Sequence, residues 1–421
     1  MNSILDHFSG VNNFVFLNGN DQVAIQGVEC LLAIDEAPFL QKQGKSYIPL
    51  VGKGLPLVDW KGWKFGFIGY DYKNRLEHLR SENPDIFGLP DIYFMNPIGV
   101  YAKTAGKWKV LYGEEEIQKQ SFLDTLQHVN LDMDSDRPRK EPLLLRKRMS
   151  KTEYLIRVRE IQDRIRRGEV YELNFCQEFY AEEADLDPLL VFQKLNRISP
   201  SPFSAFCRFG STYLICSSPE RFLKKVGSRL VSQPIKGTRP RGQTTEEDSR
   251  LRKELKEDDK ERAENVMIVD LVRNDLSRIA EKGSVKVDEL QGIYSFEQVH
   301  QMISTISCEV KPDVTFEEII RATFPMGSMT GAPKIRAMQL IEEYESSRRG
   351  LYSGALGFIN PEGDFDFSVV IRSILYDARK KHLSFHVGSA ITAKSDPEKE
   401  YEECLVKAKA LVEALNGMIV D

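Results

Sequence analysis

The sequence predicts an α+β fold in which sheets and helices pack as layers, and three observations predict it. Short aromatic and β-branched runs such as Asn13-Phe-Val-Phe-Leu17 and Lys64-Phe-Gly-Phe-Ile-Gly-Tyr70 mark strands broken by glycine across the first third. Segments of helical period, led by Lys151 to Arg167, alternate with further strand-like runs in the remainder. That alternation is too irregular for a repeating βαβ barrel. In chain order, residues 1–131 read as the sheet-rich front of one large domain, with a helix expected from Glu114 to Val129. Asp132 to Arg148, which includes Arg137-Pro-Arg-Lys140, reads as an exposed charged connector, and 149–421 as the catalytic core. The amphipathic helix Lys151 to Arg167 stops at Gly168, and strands follow at Tyr171 to Tyr180, Phe203 to Cys207 and Tyr213 to Cys216. A hairpin is expected next, with Gly227-Ser228-Arg229 as a three-residue loop. Asp248 to Ile279, Thr315 to Ala322, Pro333 to Tyr344 and Pro397 to Leu415 read as helices, and no internal repeat is visible.

Composition excludes several classes of function. A 421-residue chain with 41% hydrophobic residues, 28 Gly and 19 Pro is long enough for a large core. Its 58 basic and 63 acidic residues leave a net charge of -5, which gives no general attraction to nucleic acid or to an anionic membrane. Neither is an expected partner. Cys30, Cys176, Cys207, Cys216, Cys308 and Cys404 are scattered without a Cys-x-x-Cys pair, as expected of buried reduced thiols in a cytoplasmic protein. The first residues lack a basic-then-apolar leader and no eighteen apolar residues run together, so neither export nor a membrane span is expected.

Lys236, in Gln233-Pro-Ile-Lys-Gly-Thr238, places an amine in a turn-rich segment sixteen positions after Glu220 of Ser217-Ser-Pro-Glu220. A hairpin symmetric about Ser228 sets the two opposite each other, about 5 Å apart at Cβ, as an acid and a nucleophile or as a surface ion pair. Glu261 and Glu264 share one helix face, and Glu400 and Glu403 repeat the spacing with Lys407 one turn on. Such oxygen ligands suit Mg2+, although glutamates also line ordinary solvated faces. Phe324 to Ile335 is a Gly-rich turn entering a helix with Pro333 at its first position. It offers amides, Ser328 and Thr330 to an anion, or simply turns the chain. Arg372 interrupts an apolar strand and requires either a carboxylate ligand or an internal acidic partner.

Taken in order, these motifs resemble those of the chorismate-utilising enzymes. Ser217-Ser-Pro-Glu220, Gln233 to Thr238, Glu261-Arg-Ala-Glu264, Val269-Asp-Leu-Val-Arg-Asn-Asp275, Phe324 to Lys334, Tyr352-Ser-Gly-Ala, Val370-Ile-Arg372 and Glu400-Tyr-Glu-Glu403 with Lys407 span about Glu153 to Leu415, and Gly66-Phe-Ile-Gly-Tyr-Asp71 extends the likeness forward. The resemblance implies a chorismate-binding fold of two packed, mainly antiparallel sheets flanked by helices in α/β/β/α layers. Lys236 resembles the ammonia-adding branch, since other branches typically carry a small residue there. The implied reaction joins chorismate and ammonia, delivered from glutamine by a separate amidotransferase subunit, into 4-amino-4-deoxychorismate. Lys236 would add to C2 of chorismate and Glu220 would protonate the departing C4 hydroxyl. Nearby Mg2+ and arginine charges would lower the pKa of Lys236. Glu264 and Glu403, with Glu261 and Glu400, would hold Mg2+. Thr238, Gln301, Ser328, Thr330, Tyr352, Arg372, Gly388, Ser389 and Lys407 would bind substrate.

Three positions depart from the pattern. Glu172 stands where water-adding relatives have a lysine base and many amine-adding ones a glutamine, which argues against water as nucleophile and leaves its own role open. Gln301 replaces the pocket histidine of the anthranilate-forming branch, while the neighbouring His300 reads as structural. Gly388-Ser389-Ala390 replaces a run of three glycines. An anthranilate-forming enzyme and a non-catalytic relative are the alternatives.

Overall fold

The computed structural model describes residues 11–22, 27–35, 62–113, 141–297 and 299–420. The front part contributes β1 (Asn13–Asn18), β2 (Cys30–Asp35), β3 (Lys64–Ile68), α1 (Lys73–Leu76), β4 (Ile92–Met95), β5 (Gly99–Thr104) and β6 (Lys107–Gly113). There follow β7 (Leu143–Lys147), α2 (Lys151–Arg166), β8 (Glu172–Ala181), α3 (Pro188–Ile198), β9 (Phe203–Phe209), β10 (Thr212–Ser218), β11 (Arg221–Val226), β12 (Arg229–Gln233) and β13 (Ile235–Pro240). The chain continues through α4 (Thr245–Glu257), α5 (Asp259–Ser277), β14 (Lys286–Ser295), β15 (Val299–Glu309), α6 (Phe316–Thr323), β16 (Gly331–Ala332) and α7 (Lys334–Tyr344). It ends with β17 (Ala355–Ile359), β18 (Phe365–Val369), β19 (Ser373–Asp377), β20 (His382–Ile391), α8 (Pro397–Ala414) and β21 (Gly417–Val420).

These strands form two mainly antiparallel sheets flanked by helices. The first runs β21-β7-β8-β20-β19-β10-β9-β1-β2-β5-β6 with β16 added to β8, and the second runs β13-β15-β12-β11-β18-β17-β3-β4 with β14 added to β15. Successive side chains of a strand point to opposite faces, and strands such as β1 and β2 read as nearly continuous apolar runs because both of their faces are covered. On β1, Phe14 and Phe16 turn outward to the layer formed by α2, α3 and α8, where Tyr154, Phe192 and Leu411 lie. Val15 and Leu17 turn inward and pack on Phe65, Phe67 and Phe358 of the second sheet. Ile268, Val269, Val272 and Leu276 of α5, with Ile319 and Ile320 of α6, close the far side.

Several local expectations differ from the structure. The helix expected over Asp248 to Ile279 is two, α4 and α5, because Asp258 adopts an extended conformation and its carboxylate caps α5 at the Glu261 amide. Pro333 caps α7 instead of occupying its first turn. Helix α3 went unread, although Asp187 caps it and Pro188 starts it. The helix expected at Glu114 to Val129 and residues 132–140 of the connector lie outside the described residues. The connector's end forms β7, whose Leu143 and Leu145 are buried.

Candidate active site

Two strand pairs carry the chain between the sheets. β10 enters β11 through Pro219 and Glu220, and β18 returns to β19 through Val370, Ile371 and Arg372. The crossings lie side by side, with the Ser217 amide donating to the Arg372 carbonyl at 3.1 Å and the Val369 amide to the Glu220 carbonyl at 3.0 Å. Arg372 takes φ 49°, a left-handed conformation that costs a non-glycine residue energy. What interrupts the apolar strand is therefore a bend between sheets.

Glu220 is buried and accepts a hydrogen bond from Ser328 Oγ at 2.7 Å. Burial pushes its carboxyl up to about 7, opposed by Ser328, Lys236 and Arg372. A carboxyl so placed still carries its proton near neutrality and can donate it. No carboxylate among the described residues forms an ion pair with Arg372. Burial draws its pKa below the ordinary value, with Glu220 the charge that resists.

Lys236 is placed differently from expectation. Val226 pairs with Arg229 and Lys224 with Val231, so the hairpin turns on two residues, Gly227 and Ser228, with Gly227 at φ 58°. A register shift near Arg221 and a new strand, β13, displace Lys236 from the position opposite Glu220. Its Nζ instead reaches the other sheet and donates to Glu172 Oε1 of β8 at 2.6 Å, with side chains only 11% and 2% exposed. Burial works to remove the ammonium proton, but Glu172, Glu264 and Glu261 outweigh it and hold the pKa above the ordinary value. Three carboxylates thus oppose the lowering that Mg2+ and arginine charges are expected to exert on Lys236.

The glutamates of α5 and α8 approach one another at the N-terminal ends of these helices. Glu264 and Glu400 are buried, Glu261 is half-buried against Arg239 at 3.4 Å, and Glu403 is exposed with Lys407 at 2.7 Å. Lys260 bridges the helices, its Nζ 3.3 Å from Glu400 Oε1 and 3.7 Å from Glu264 Oε1. Burial raises the Glu264 carboxyl to about 7, and the nearby Lys236 charge opposes the rise. Among the described residues, no three His, Cys, Asp or Glu side chains form a ready metal cage, so the four glutamates are neighbours and not a closed ligand set. The donors nevertheless fit a hard divalent cation: all are carboxylate oxygens, and Glu264 Oε1 and Glu400 Oε2 are buried without hydrogen-bond partners.

The remaining expected residues divide between the site and its supports. Gln301, opposite the exposed Thr238 in register, is buried with an unpartnered Oε1. Thr330 spends its hydroxyl on the Met326 and Gly327 carbonyls at 3.2 and 3.3 Å, which closes the Gly-rich turn instead of leaving a donor for an anion. Tyr352 stacks on His386 with centroids 5.1 Å apart. Lys407 donates to the Gly388 carbonyl at 2.8 Å, fixing α8 to β20. Ser389 faces the helices and meets the Tyr154 hydroxyl at 3.3 Å, because alternate residues of β20 point to opposite faces. It is therefore a core contact and not part of the substrate surface.

Sequence reading missed Arg349 and Glu345. Arg349 is buried, its Nη2 2.6 Å and Nε 2.9 Å from the Glu345 carboxylate, and it also bonds the Met329 and Asn174 carbonyls at 2.7 and 2.8 Å. It thereby ties the Gly-rich turn to β8. Nothing in Ser346-Ser-Arg-Arg349 distinguishes this arginine from a surface one.

Comparison with known proteins adds to this geometry. The sequence profile described as "chorismate binding enzyme" matches residues 18–413. A protein of Oryza sativa subsp. japonica named "Probable aminodeoxychorismate synthase, chloroplastic" is 37% identical over 412 residues, covering 88% of this chain and 45% of its own length. This chain thus spans less than half of that relative. "Anthranilate synthase component 1" of Aquifex aeolicus is 35% identical over 386 residues, covering 88% of this chain and 77% of its own. The crystal structure of anthranilate synthase component I from Streptococcus pneumoniae superposes with a TM-score of 0.73 at 26% identity, over 95% of this chain and 90% of that one.

Proposed function

The chain belongs to the chorismate binding enzymes, and from that membership we propose that it replaces the C4 hydroxyl of chorismate with an amino group, the reaction of the aminodeoxychorismate synthases. Lys236 carries this reading. Relatives of both names are similarly identical to the chain, so overall likeness does not choose between branches. An amine only 11% exposed, whose charge reaches a protonatable Glu220, suits covalent addition to the ring.

In the proposed reaction the uncharged Lys236 amine adds to C2, the ring diene shifts, and the C4 hydroxyl leaves as water with the Glu220 proton. Ammonia then adds at C4 and the lysine departs. Arg372, which has no ion-pair partner among the described residues, would grip a substrate carboxylate, while Tyr352, Gln301, Thr238, Ser328 and the Gly388 backbone would shape the pocket. Glu261, Glu264, Glu400 and Glu403 would hold Mg2+, whose charge would anchor the ring carboxylate. Ammonia would come from glutamine through a separate amidotransferase subunit, in keeping with the designation component 1 of the Aquifex relative. Six buried free thiols support a cytoplasmic location. Among the described residues no helix is long and apolar enough to cross a membrane.

The test is to incubate the purified chain with chorismate, Mg2+ and ammonium, then identify products by chromatography with mass detection. 4-Amino-4-deoxychorismate is expected, and Lys236→Ala should abolish it. Anthranilate with free pyruvate would instead assign the chain to the other branch.

A further inference from the structure

Glu172 lies inside the site with no task in the reaction as written. It is buried at the start of β8, and its Oε1 accepts the Lys236 hydrogen bond at 2.6 Å while its Oε2 is buried without a partner. Among the described residues, no other carboxylate lies within ion-pair distance of Lys236. The backbone of Glu172 is clamped by the Gly-rich turn. Ala332 pairs with it in register, and the amides of Tyr171 and Asn174 donate to the Ala332 and Thr330 carbonyls, each at 2.7 Å. Gly331 permits this approach, since a Cβ there would collide with the Glu172 carbonyl. The acceptor is thus held in place beside a nitrogen that has to lose a proton before it can attack.

Building on the function proposed above, we propose that Glu172 is the base that takes the Lys236 proton and returns it when the lysine departs. In the first half, an N–H bond of Lys236 breaks and Glu172 Oε1 gains the proton. The freed pair on Nζ forms the bond to C2, the two ring double bonds each shift by one position, and the C4–O bond breaks, the hydroxyl leaving as water with the Glu220 proton. In the second half, ammonia forms the C4–N bond, the double bonds shift back and the C2–Nζ bond breaks. Nζ then recovers its proton from Glu172, and the surplus proton on the new C4 ammonium restores Glu220 to its acid form. The sum is chorismate plus ammonia giving the amino product plus water, with every enzyme group returned to its starting state.

Glu172→Gln keeps the size and the hydrogen bond of the side chain but removes its basicity. In the chorismate, Mg2+ and ammonium assay its kcat should fall about a hundredfold or more, with KM for chorismate within about threefold and the thermal midpoint unchanged. Glu172→Ala should regain part of its rate when formate is added as a small replacement carboxylate, a response that a packing role would not give. A Glu172→Gln enzyme within about fivefold of wild type in kcat, or a Glu172→Ala enzyme that formate does not revive, overturns the assignment. Wild-type protein in the same assay separates the two inferences. Anthranilate from wild type overturns the reaction itself, whereas amino product made equally fast by wild type and Glu172→Gln overturns only the role of Glu172.

Discussion

Replacing Ser328 with alanine should move the alkaline limb of the pH–rate profile upward by about one unit. The Glu220 carboxyl is raised to about 7, so its acid form predominates at lower pH and is lost as pH climbs through that value. If Glu220 donates the proton to the leaving hydroxyl, the rate falls over the same interval. Ser328 Oγ donates to Oε1 at 2.7 Å and favours the ionised form; Lys236 and Arg372 act in the same direction. A hydrogen bond to a charged group contributes about 1.5–3 kcal/mol and one to a neutral group about 0.5–1.5 kcal/mol. The carboxylate therefore loses about 1–1.5 kcal/mol more than the acid on removal of the hydroxyl, which at 1.36 kcal/mol per unit is about one pH unit. The assay is kcat against pH in wild type and Ser328→Ala, with free ammonia kept saturating at every point. A limb that stays in place, or moves down, refutes the assignment of Glu220 as the acid.

Two further outcomes follow from buried charges. Arg349→Met strands the Glu345 carboxylate and should cost about 3–5 kcal/mol in urea unfolding, whereas the Arg349→Met, Glu345→Met pair should recover much of it; a single variant that loses under about 1 kcal/mol would deny the pair its structural role. Glu400→Gln removes one of the two unpartnered buried oxygens and should weaken Mg2+ binding, read by calorimetry on the substrate-free protein, by at least about tenfold; unchanged affinity would place the cation elsewhere.

Layering was legible because strands such as β1 bury both faces, and a run such as Asn13 to Leu17 has no polar side to give to water. The motifs that carry Glu220, Lys236, Glu261, Glu264, Glu400 and Glu403 are local and can be read from short windows, and the structure brings Glu264 and Glu400 to one lysine, Lys260. Pairings that depend on sheet stacking were not. Lys236 and Glu172 are separated by 64 positions and lie on strands of different sheets, so their side chains meet only once the sheets are stacked. The break at Asp258 was hidden because no Gly or Pro marks it, its cause being an extended residue that caps the next helix. Ser389 was misassigned for a simpler reason: once Gly388 is placed toward the cleft, strand parity sends its neighbour the other way.

The twin crossing at Glu220 and Arg372 has a mechanical consequence. Both residues ride on adjacent strands that leave one sheet together and join the other together, so the hydrogen bonds between the crossings tie the carboxyl-bearing segment to the guanidinium-bearing one. Lys236 and Glu172 are joined instead through their side chains, at 2.6 Å, while their backbones belong to different sheets. A substitution at Lys236 or Glu172 therefore removes a side-chain link between the sheets, whereas the crossings at Glu220 and Arg372 are joined by backbone hydrogen bonds that a change of side chain leaves in place.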